Sequence, residues 1–217
     1  MTYLVTGAAG FIGSHLVDTL LAANHNVIGL DNFNDYYDPS IKRNNIKSAL
    51  THDTFTLIEG SLLDKNLINS IFSSHSINAV IHLAAYAGVR PSIENPDLYY
   101  KTNIDGSKNI LDAAVTHQCK RVLFASSSSV YGNNKKVPFA ETDPVDHPIS
   151  PYAATKKMGE IMCHTYHHLY KLEIACLRFF TVYGPRQRPE MAIHKFANLI
   201  EQNKEIPVYN HGNCLRD

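Results

Sequence analysis

Thr2-Tyr-Leu-Val-Thr6, Gly7-Ala-Ala-Gly10-Phe-Ile-Gly13 and Ser14-His-Leu-Val-Asp-Thr-Leu-Leu-Ala-Ala23 follow one another without a break, and their reading decides the fold. The first run has strand propensity and the last carries apolar residues at helical spacing, so the glycines mark a strand-to-helix turn. A dinucleotide fingerprint needs that context. Gly7 allows the tight turn, Gly10 lets the backbone approach a pyrophosphate, and Gly13 lets the helix pack on the strand with its N-terminus aimed at the phosphates. The spacing is Gly-x-x-Gly-x-x-Gly rather than Gly-x-Gly-x-x-Gly, and such a turn can exist with no ligand at all.

The next apolar run, Val27-Ile-Gly-Leu30, ends in Asp31, about 20 residues past the glycines, where a ribose-binding acid is expected. Its carboxylate accepts from a 2′-hydroxyl and repels a 2′-phosphate, which favours NAD over NADP. Asn32 and Phe33 bring no cation. Asn32 to Pro39 reads as a polar and aromatic loop leading into a short helix, where Lys42 and Arg43 are expected to be solvated. Further strands are expected at Phe55–Ile58 and Asn78–His82, with a helix between them ending near Ser73. Leu83-Ala-Ala85 then supplies small residues against a cofactor.

One long helical pattern covers Pro96 to His117, followed by a strand at Arg121–Ala125 that opens into Ser126-Ser-Ser-Ser-Val-Tyr-Gly132. Glu141 to Pro151 is a Pro- and Asp-rich loop before a helix to about Lys171. A strand at Glu173–Arg178, a helix from Met191 to Gln202 and a last short strand at Pro207–Tyr209 complete the pattern. Strands alternating with helices predict a doubly wound parallel α/β sheet. In such sheets ligands lie beyond the carboxyl ends of the strands, which is where the serine run falls.

The chemistry is expected in Ser150-Pro-Tyr-Ala-Ala-Thr-Lys156. Residues i and i+4 share a helix face, so the Lys156 ammonium is expected near the Tyr152 phenol, lowering its pKa toward that of a usable general base. Tyr-x-x-x-Lys by itself is more often an ordinary amphipathic helix. Here the glycine turn, the serine run and this pair converge on one crevice.

Acidic and basic side chains balance at 20 each, which argues against a nucleic-acid surface or a polybasic membrane patch. No apolar run reaches the ~18 residues of a membrane span, and the N-terminus enters a glycine loop rather than a signal peptide. A cytoplasmic protein is expected. Cys119, Cys163, Cys176 and Cys214 form no Cys-x-x-Cys pair and read as reduced, mostly buried thiols. His164, His167 and His168 share helical spacing but have no nearby Cys or carboxylate, so a solvated face is expected rather than a metal site.

Taken together, the sequence resembles the extended short-chain dehydrogenase/reductases, and among them the nucleotide-sugar 4-epimerases. The resemblance rests on Thr6-Gly-Ala-Ala-Gly-Phe-Ile-Gly13, Asp31-Asn32, His82-Leu-Ala-Ala85, Asn103, the serines before Val130-Tyr-Gly132, Tyr152-Ala-Ala-Thr-Lys156 and Leu177-Arg-Phe-Phe-Thr-Val-Tyr-Gly-Pro185. It sharpens toward UDP-glucuronate 4-epimerases through Asp31–Pro39, Ala87–Pro96 and Arg186-Gln-Arg-Pro-Glu-Met-Ala192.

The resemblance implies a Rossmann-type domain over residues 1–178, with part of a substrate-binding domain over 179–217. It implies NAD held by Gly7, Gly10, Phe11, Ile12, Gly13, Asp31 and Asn32, then by Leu83, Ala84, Ala85, Asn103, Tyr152, Lys156 and Phe179. Many relatives carry an acid at the position of Ser61 that touches adenine, so Ser61 and the backbone of Leu62 are expected there instead. A UDP-sugar is implied against Arg90, Ser127, Ser128, Thr181, Arg186 and Arg188, with the arginines available to a uronate carboxylate or the diphosphate. Tyr152, Lys156, Ser127 and Ser128 are the implied catalytic group, and a homodimer through the two long helices is implied as well.

Related dehydratases and decarboxylases place carboxylic residues where this chain has Ser128-Ser129, which disfavours both chemistries. UDP-glucose and UDP-N-acetylglucosamine epimerases are alternative readings. Family members continue roughly a hundred residues past the position of Asp217. The chain is therefore expected to be truncated, and an idle NAD-binding remnant is the reading of a different class.

Overall fold

In the computed structural model residues 1–212 are described, leaving aside the side chains of Tyr209 and Asn210, so Cys214 lies outside the described residues. Six parallel strands form one sheet in the order β3-β2-β1-β4-β5-β6. They are β1 (Thr2–Thr6), β2 (Asn26–Asp31), β3 (Phe55–Glu59), β4 (Ala79–His82), β5 (Arg121–Ser127) and β6 (Glu173–Phe179). Chain order reverses between β1 and β4, the switch point of a doubly wound sheet, and a ligand crevice opens there.

The two-residue period of a strand explains the layers. Leu4 and Val5 of β1 are both fully buried and belong to different cores. Leu4 joins Ile28, Val80, Val122 and Phe124 under α3 (Lys65–Ser74), α6 (Gly106–Thr116) and α7 (Pro151–Tyr170). Val5 joins Val27 and Ile81 under α1 (Phe11–Ala22), where Val17 and Leu21 complete the opposite layer.

Helix starts follow their caps. Ser150 accepts from the Ala153 amide at 3.1 Å with Pro151 at the first helical position, and Asp64 accepts from the Leu67 amide at 3.0 Å. Lys171, in the left-handed conformation at φ 59°, ends α7. The short α2 (Pro39–Asn45), α4 (Val89–Glu94) and α5 (Pro96–Tyr100) carry the loops above the sheet, and α8 (Ala192–Glu201) follows β6.

The pattern from Pro96 to His117 is helical without a break through Thr116, as expected, with Lys101–Asp105 as a π-helical turn between α5 and α6. Several expectations are corrected. Pro207–Tyr209 forms no strand; Tyr209–Gly212 is a 3₁₀ turn, and among the described residues β6 ends the sheet. Lys42 is buried, its ammonium donating to the Asn34 carbonyl and side-chain oxygens at 2.8 Å over the Tyr37 ring. Arg43 is exposed, as expected, and there packs over Phe33 and pairs with Glu59 at 3.0 Å. Cys119 and Cys163 are buried, but Cys176 on β6 is exposed. His164, His167 and His168 lie on an exposed face, with His167 Nδ1 2.8 Å from the Leu172 carbonyl oxygen. Among the described residues no helix is long and apolar enough to cross a membrane.

Candidate functional site

The crevice at the β1/β4 switch point is a cleft of about 1090 Å³. Every expected site residue except Asn103 and Arg186 lines it, from the glycine turn and Asp31 through Leu83–Ala85 and the serines to Tyr152, Lys156, Thr181 and Arg188.

The glycine turn is shaped by contact. Gly7 has φ +70°, and a Cβ there would come within 3.0 Å of the Ala84 amide nitrogen. A Cβ on Gly13 would lie 2.0 Å from the Gly7 carbonyl oxygen. No side chain caps α1, whose N-cap is Gly10, so its first amides remain available to an anion. Asp31, 7% exposed, accepts from the Ala9 amide through Oδ2 (3.1 Å) and the Phe33 amide through Oδ1 (2.9 Å). These bonds fix the carboxylate and leave lone pairs for hydroxyls. An uncapped helix, a turn too tight for side chains and an oriented acid fit the pyrophosphate and adenosine ribose of NAD. Ser61 Oγ is engaged locally, accepting from the Leu63 amide at 3.1 Å.

Asn103 lies behind the cleft rather than in it. Its Oδ1 accepts from the Tyr86 amide (2.8 Å), and its Nδ2 donates to the Tyr86 carbonyl and Thr155 Oγ1 (both 3.0 Å). The π-turn aims this amide between the loop after β4 and α7, a placement no side-chain periodicity reveals. Ser107 Oγ donates to the Asn103 carbonyl at 2.6 Å, which leaves it to accept from His82 Nε2 at 2.9 Å. His82 Nδ1 then accepts from Thr6 Oγ1 at 2.7 Å, and Thr6 Oγ1 accepts from the Ala84 amide at 3.2 Å. Burial, with the Lys156 charge, depresses the His82 pKa to about 3, so the ring is a neutral brace.

At the chemical end, Ser127 caps the turn Ser128–Tyr131 by accepting from the Ser129 amide at 3.1 Å. Burial raises the Tyr152 pKa, opposed by a hydrogen bond with Ser127 and by the Arg188 charge. Lys156 meets the backbone of β5. Its ammonium donates to the Ala125 carbonyl at 2.7 Å, and burial alone lowers its pKa to about 8. Beneath it, Glu160 accepts from both Arg178 Nε (2.9 Å) and Nη2 (3.0 Å) and from Ser126 Oγ (2.6 Å), tying α7, β6 and β5 together.

Arg186 does not line the cleft. At φ +65° its side chain turns from the cleft toward α1, Nη1 lying 2.7 Å from Asp18 Oδ2 without hydrogen-bond alignment. His15 Nε2, 2.9 Å from the Pro185 carbonyl oxygen, fastens the same segment. Arg188 faces the cleft instead. The sequence reading missed Tyr36, Tyr37, Tyr86, Gln187 and Glu190 as wall residues. The aromatic pair after Asp31 was the available signal for the first two.

The family model "NAD dependent epimerase/dehydratase family" matches residues 3–217. The chain belongs to that family. NAD is the family's cofactor, in agreement with the fit of the glycine turn and Asp31. The chain is 49% identical over its full length to Protein CapI of Staphylococcus aureus, covering 65% of that protein. It is 48% identical to UDP-glucuronate 4-epimerase 4 of Arabidopsis thaliana, over 100% of this chain and 50% of that one. A crystal structure of the UDP-glucuronic acid 4-epimerase from Bacillus cereus, in complex with UDP-glucuronic acid and NAD, superposes with a TM-score of 0.87 at 38% identity, covering 95% of this chain and 65% of that one. The chain thus spans between half and two thirds of the length of these relatives.

Proposed function

We propose that this chain comprises the NAD-binding domain, residues 1–178, and the start of the substrate-binding domain, 179–217, of a UDP-sugar 4-epimerase that interconverts UDP-glucuronate and UDP-galacturonate. One observation carries the reading: Tyr152, Ser127 and Lys156 line the same cleft as the glycine turn and Asp31. The names of the Arabidopsis and Bacillus cereus relatives support the uronate, as does a cleft-facing Arg188 whose charge reaches Tyr152.

When bound, NAD supplies a hydride acceptor for the sugar C4 and returns the hydride to the opposite face. Tyr152 takes the proton of the 4-hydroxyl and gives it back to the same oxygen after the sugar has turned. Ser127, which lines the cleft with Tyr152, holds that oxygen, with Ser128 and Thr181 as further cleft residues toward the sugar. Lys156 uses one of its three donors on Ala125 and keeps two for a ribose. Arg188 faces the uronate carboxylate and Arg90, which also lines the cleft, the diphosphate.

A homodimer through α5, α6 and α7 is part of the proposal, supported by Met158, Ile161 and Tyr100 exposed on those helices. A reducing, cytoplasmic setting accords with Cys119, Cys163 and Cys176, all free thiols.

The deciding experiment incubates the NAD-loaded chain with UDP-glucuronate and follows UDP-galacturonate, using Tyr152→Phe as control. Conversion lost in the variant supports the reading. NAD binding with no conversion of any UDP-sugar would leave an idle NAD-binding remnant.

A further inference from the structure

Arg188 has a defined set of neighbours in the cleft. Its Nε lies 3.3 Å from Glu190 Oε1, its Nη2 3.5 Å from Met191 Sδ, and its guanidinium carbon 5.5 Å from the centre of the Tyr36 ring. The Tyr36 platform is fixed. Its ring packs on Tyr86 at 6.3 Å, Tyr86 packs on Tyr99 at 5.8 Å, and the Tyr99 hydroxyl donates to the Ala87 carbonyl at 2.8 Å. Next to it Gly88, at φ +100°, leaves room that a Cβ would close to 2.8 Å from the Tyr36 hydroxyl.

The counter-ion is held more loosely. The Glu190 side chain is 44% exposed and lines the cleft, and a solvated ion pair of this kind contributes little net energy, so a second carboxylate can replace it at small cost. A uronate carries the same carboxylate that Glu190 offers, whereas a neutral hexose carries only a hydroxymethyl at that carbon and cannot replace an anion.

We propose that Glu190 occupies, on Arg188, the place a sugar carboxylate takes in the complex, so that Arg188 on its Tyr36 platform favours acidic over neutral sugars and Glu190 limits that preference. This rests on the UDP-sugar reading above and assigns specificity roles to two residues outside its chemistry. Glu190 competes with the substrate's own anion, and Tyr36 keeps the guanidinium face in register through a cation–π contact.

Calorimetric titration of the NAD-loaded chain with UDP-glucuronate and with UDP-glucose tests it, using wild type, Glu190→Gln and Tyr36→Leu. Removing the competing charge should tighten UDP-glucuronate about threefold, the scale of an exposed ion pair, and leave UDP-glucose unchanged. Tyr36→Leu should weaken UDP-glucuronate more than UDP-glucose. NAD affinity, equal in all three proteins, confirms that each is folded. Equal effects on both sugars, or UDP-glucuronate weakened by Glu190→Gln, would overturn the exchange while leaving the epimerase reading intact. Wild type that binds neither sugar, or prefers UDP-glucose, would overturn the substrate reading and this proposal with it.

Discussion

The Lys156 ammonium stands 5.9 Å from the centre of the Tyr152 ring and donates to the Ala125 carbonyl oxygen at 2.7 Å. Sharing a helix face brings the two residues into the same cleft without placing the charge on the phenol oxygen. The phenol is governed by burial, which raises its pKa, against a Ser127 hydrogen bond and the Arg188 charge, which lower it. Burial prevails, and the phenol stays above its ordinary value.

A titration follows. In the protein free of NAD, the tyrosinate absorbance assigned by subtracting Tyr152→Phe should rise only above the ordinary tyrosine value. A cationic nicotinamide ring stabilises phenolate, so saturating NAD should move the rise downward. Tyr152 ionising below the ordinary value without NAD would contradict this assignment of causes.

Lys156 makes a stability prediction. Its folded pKa is about 8 against an ordinary value of 10.5. Between these values the unfolded chain binds a proton that the folded chain does not, so stability rises with pH through that window. Below it the buried ammonium destabilises the fold by an amount on the order of 3 kcal/mol. Lys156→Met removes that charge at the cost of a hydrogen bond worth about 1 kcal/mol. It should therefore raise the unfolding free energy near neutral pH by about 2 kcal/mol while abolishing any epimerase activity. The gain should vanish in alkaline buffer. A gain independent of pH would mean that packing, not charge, is responsible.

The glycines separate fold from ligand. A Cβ on Gly13 would lie 2.0 Å from the Gly7 carbonyl oxygen, which is backbone and cannot move aside, whereas one on Gly10 would meet the same oxygen at 3.2 Å. Gly13→Ala should lower unfolding stability by about 2 kcal/mol or more, in the range of overpacked sites. Gly10→Ala should nearly keep wild-type stability yet weaken NAD by at least about tenfold, since its methyl fills the space a pyrophosphate approaches. Chemical denaturation and NAD titration on both variants decide the matter.

What the sequence made legible was whatever depends on local pattern. The glycine turn, the strands buried on both faces and the Ser150 cap each follow from a few adjacent residues, and the structure has them within one or two positions. Asp31 was legible because its distance from the glycines is set by one helix and one strand. What escaped depends on contacts distant in the chain. Arg186 and Arg188 look equivalent in sequence; a positive φ at Arg186 and partners some 170 positions away on α1 separate them. Lys42 reads as a surface cation until the loop before it folds back to receive its ammonium. Asn103 reads as a ligand residue until the π-turn rotates it into the wall.

The buried pair Glu160–Arg178 gives the last prediction. Their side chains are 11% and 18% exposed, and the guanidinium also donates to the Tyr131 hydroxyl and the Glu141 carbonyl oxygen, both at 3.2 Å. Removing one partner leaves a charge without a counter-ion in a poorly solvated place, so Glu160→Gln should cost about 3 kcal/mol in chemical denaturation. The Glu160 pKa is lowered in the fold, with Arg178 as the main cause opposing the burial that raises it. A lowered carboxyl pKa contributes stability above its unfolded value of 4.5 and loses it as pH falls through the folded value. Wild type should therefore lose stability with acid more steeply than Glu160→Gln, and the two curves should converge at low pH. Because Ser126 Oγ donates to the same carboxylate and precedes Ser127, the variant should also disturb the serine turn. Its Tyr152 titration should shift where that of an equally destabilised surface variant does not. An unshifted phenol alongside the full stability loss would confine Glu160 to holding α7 against β6.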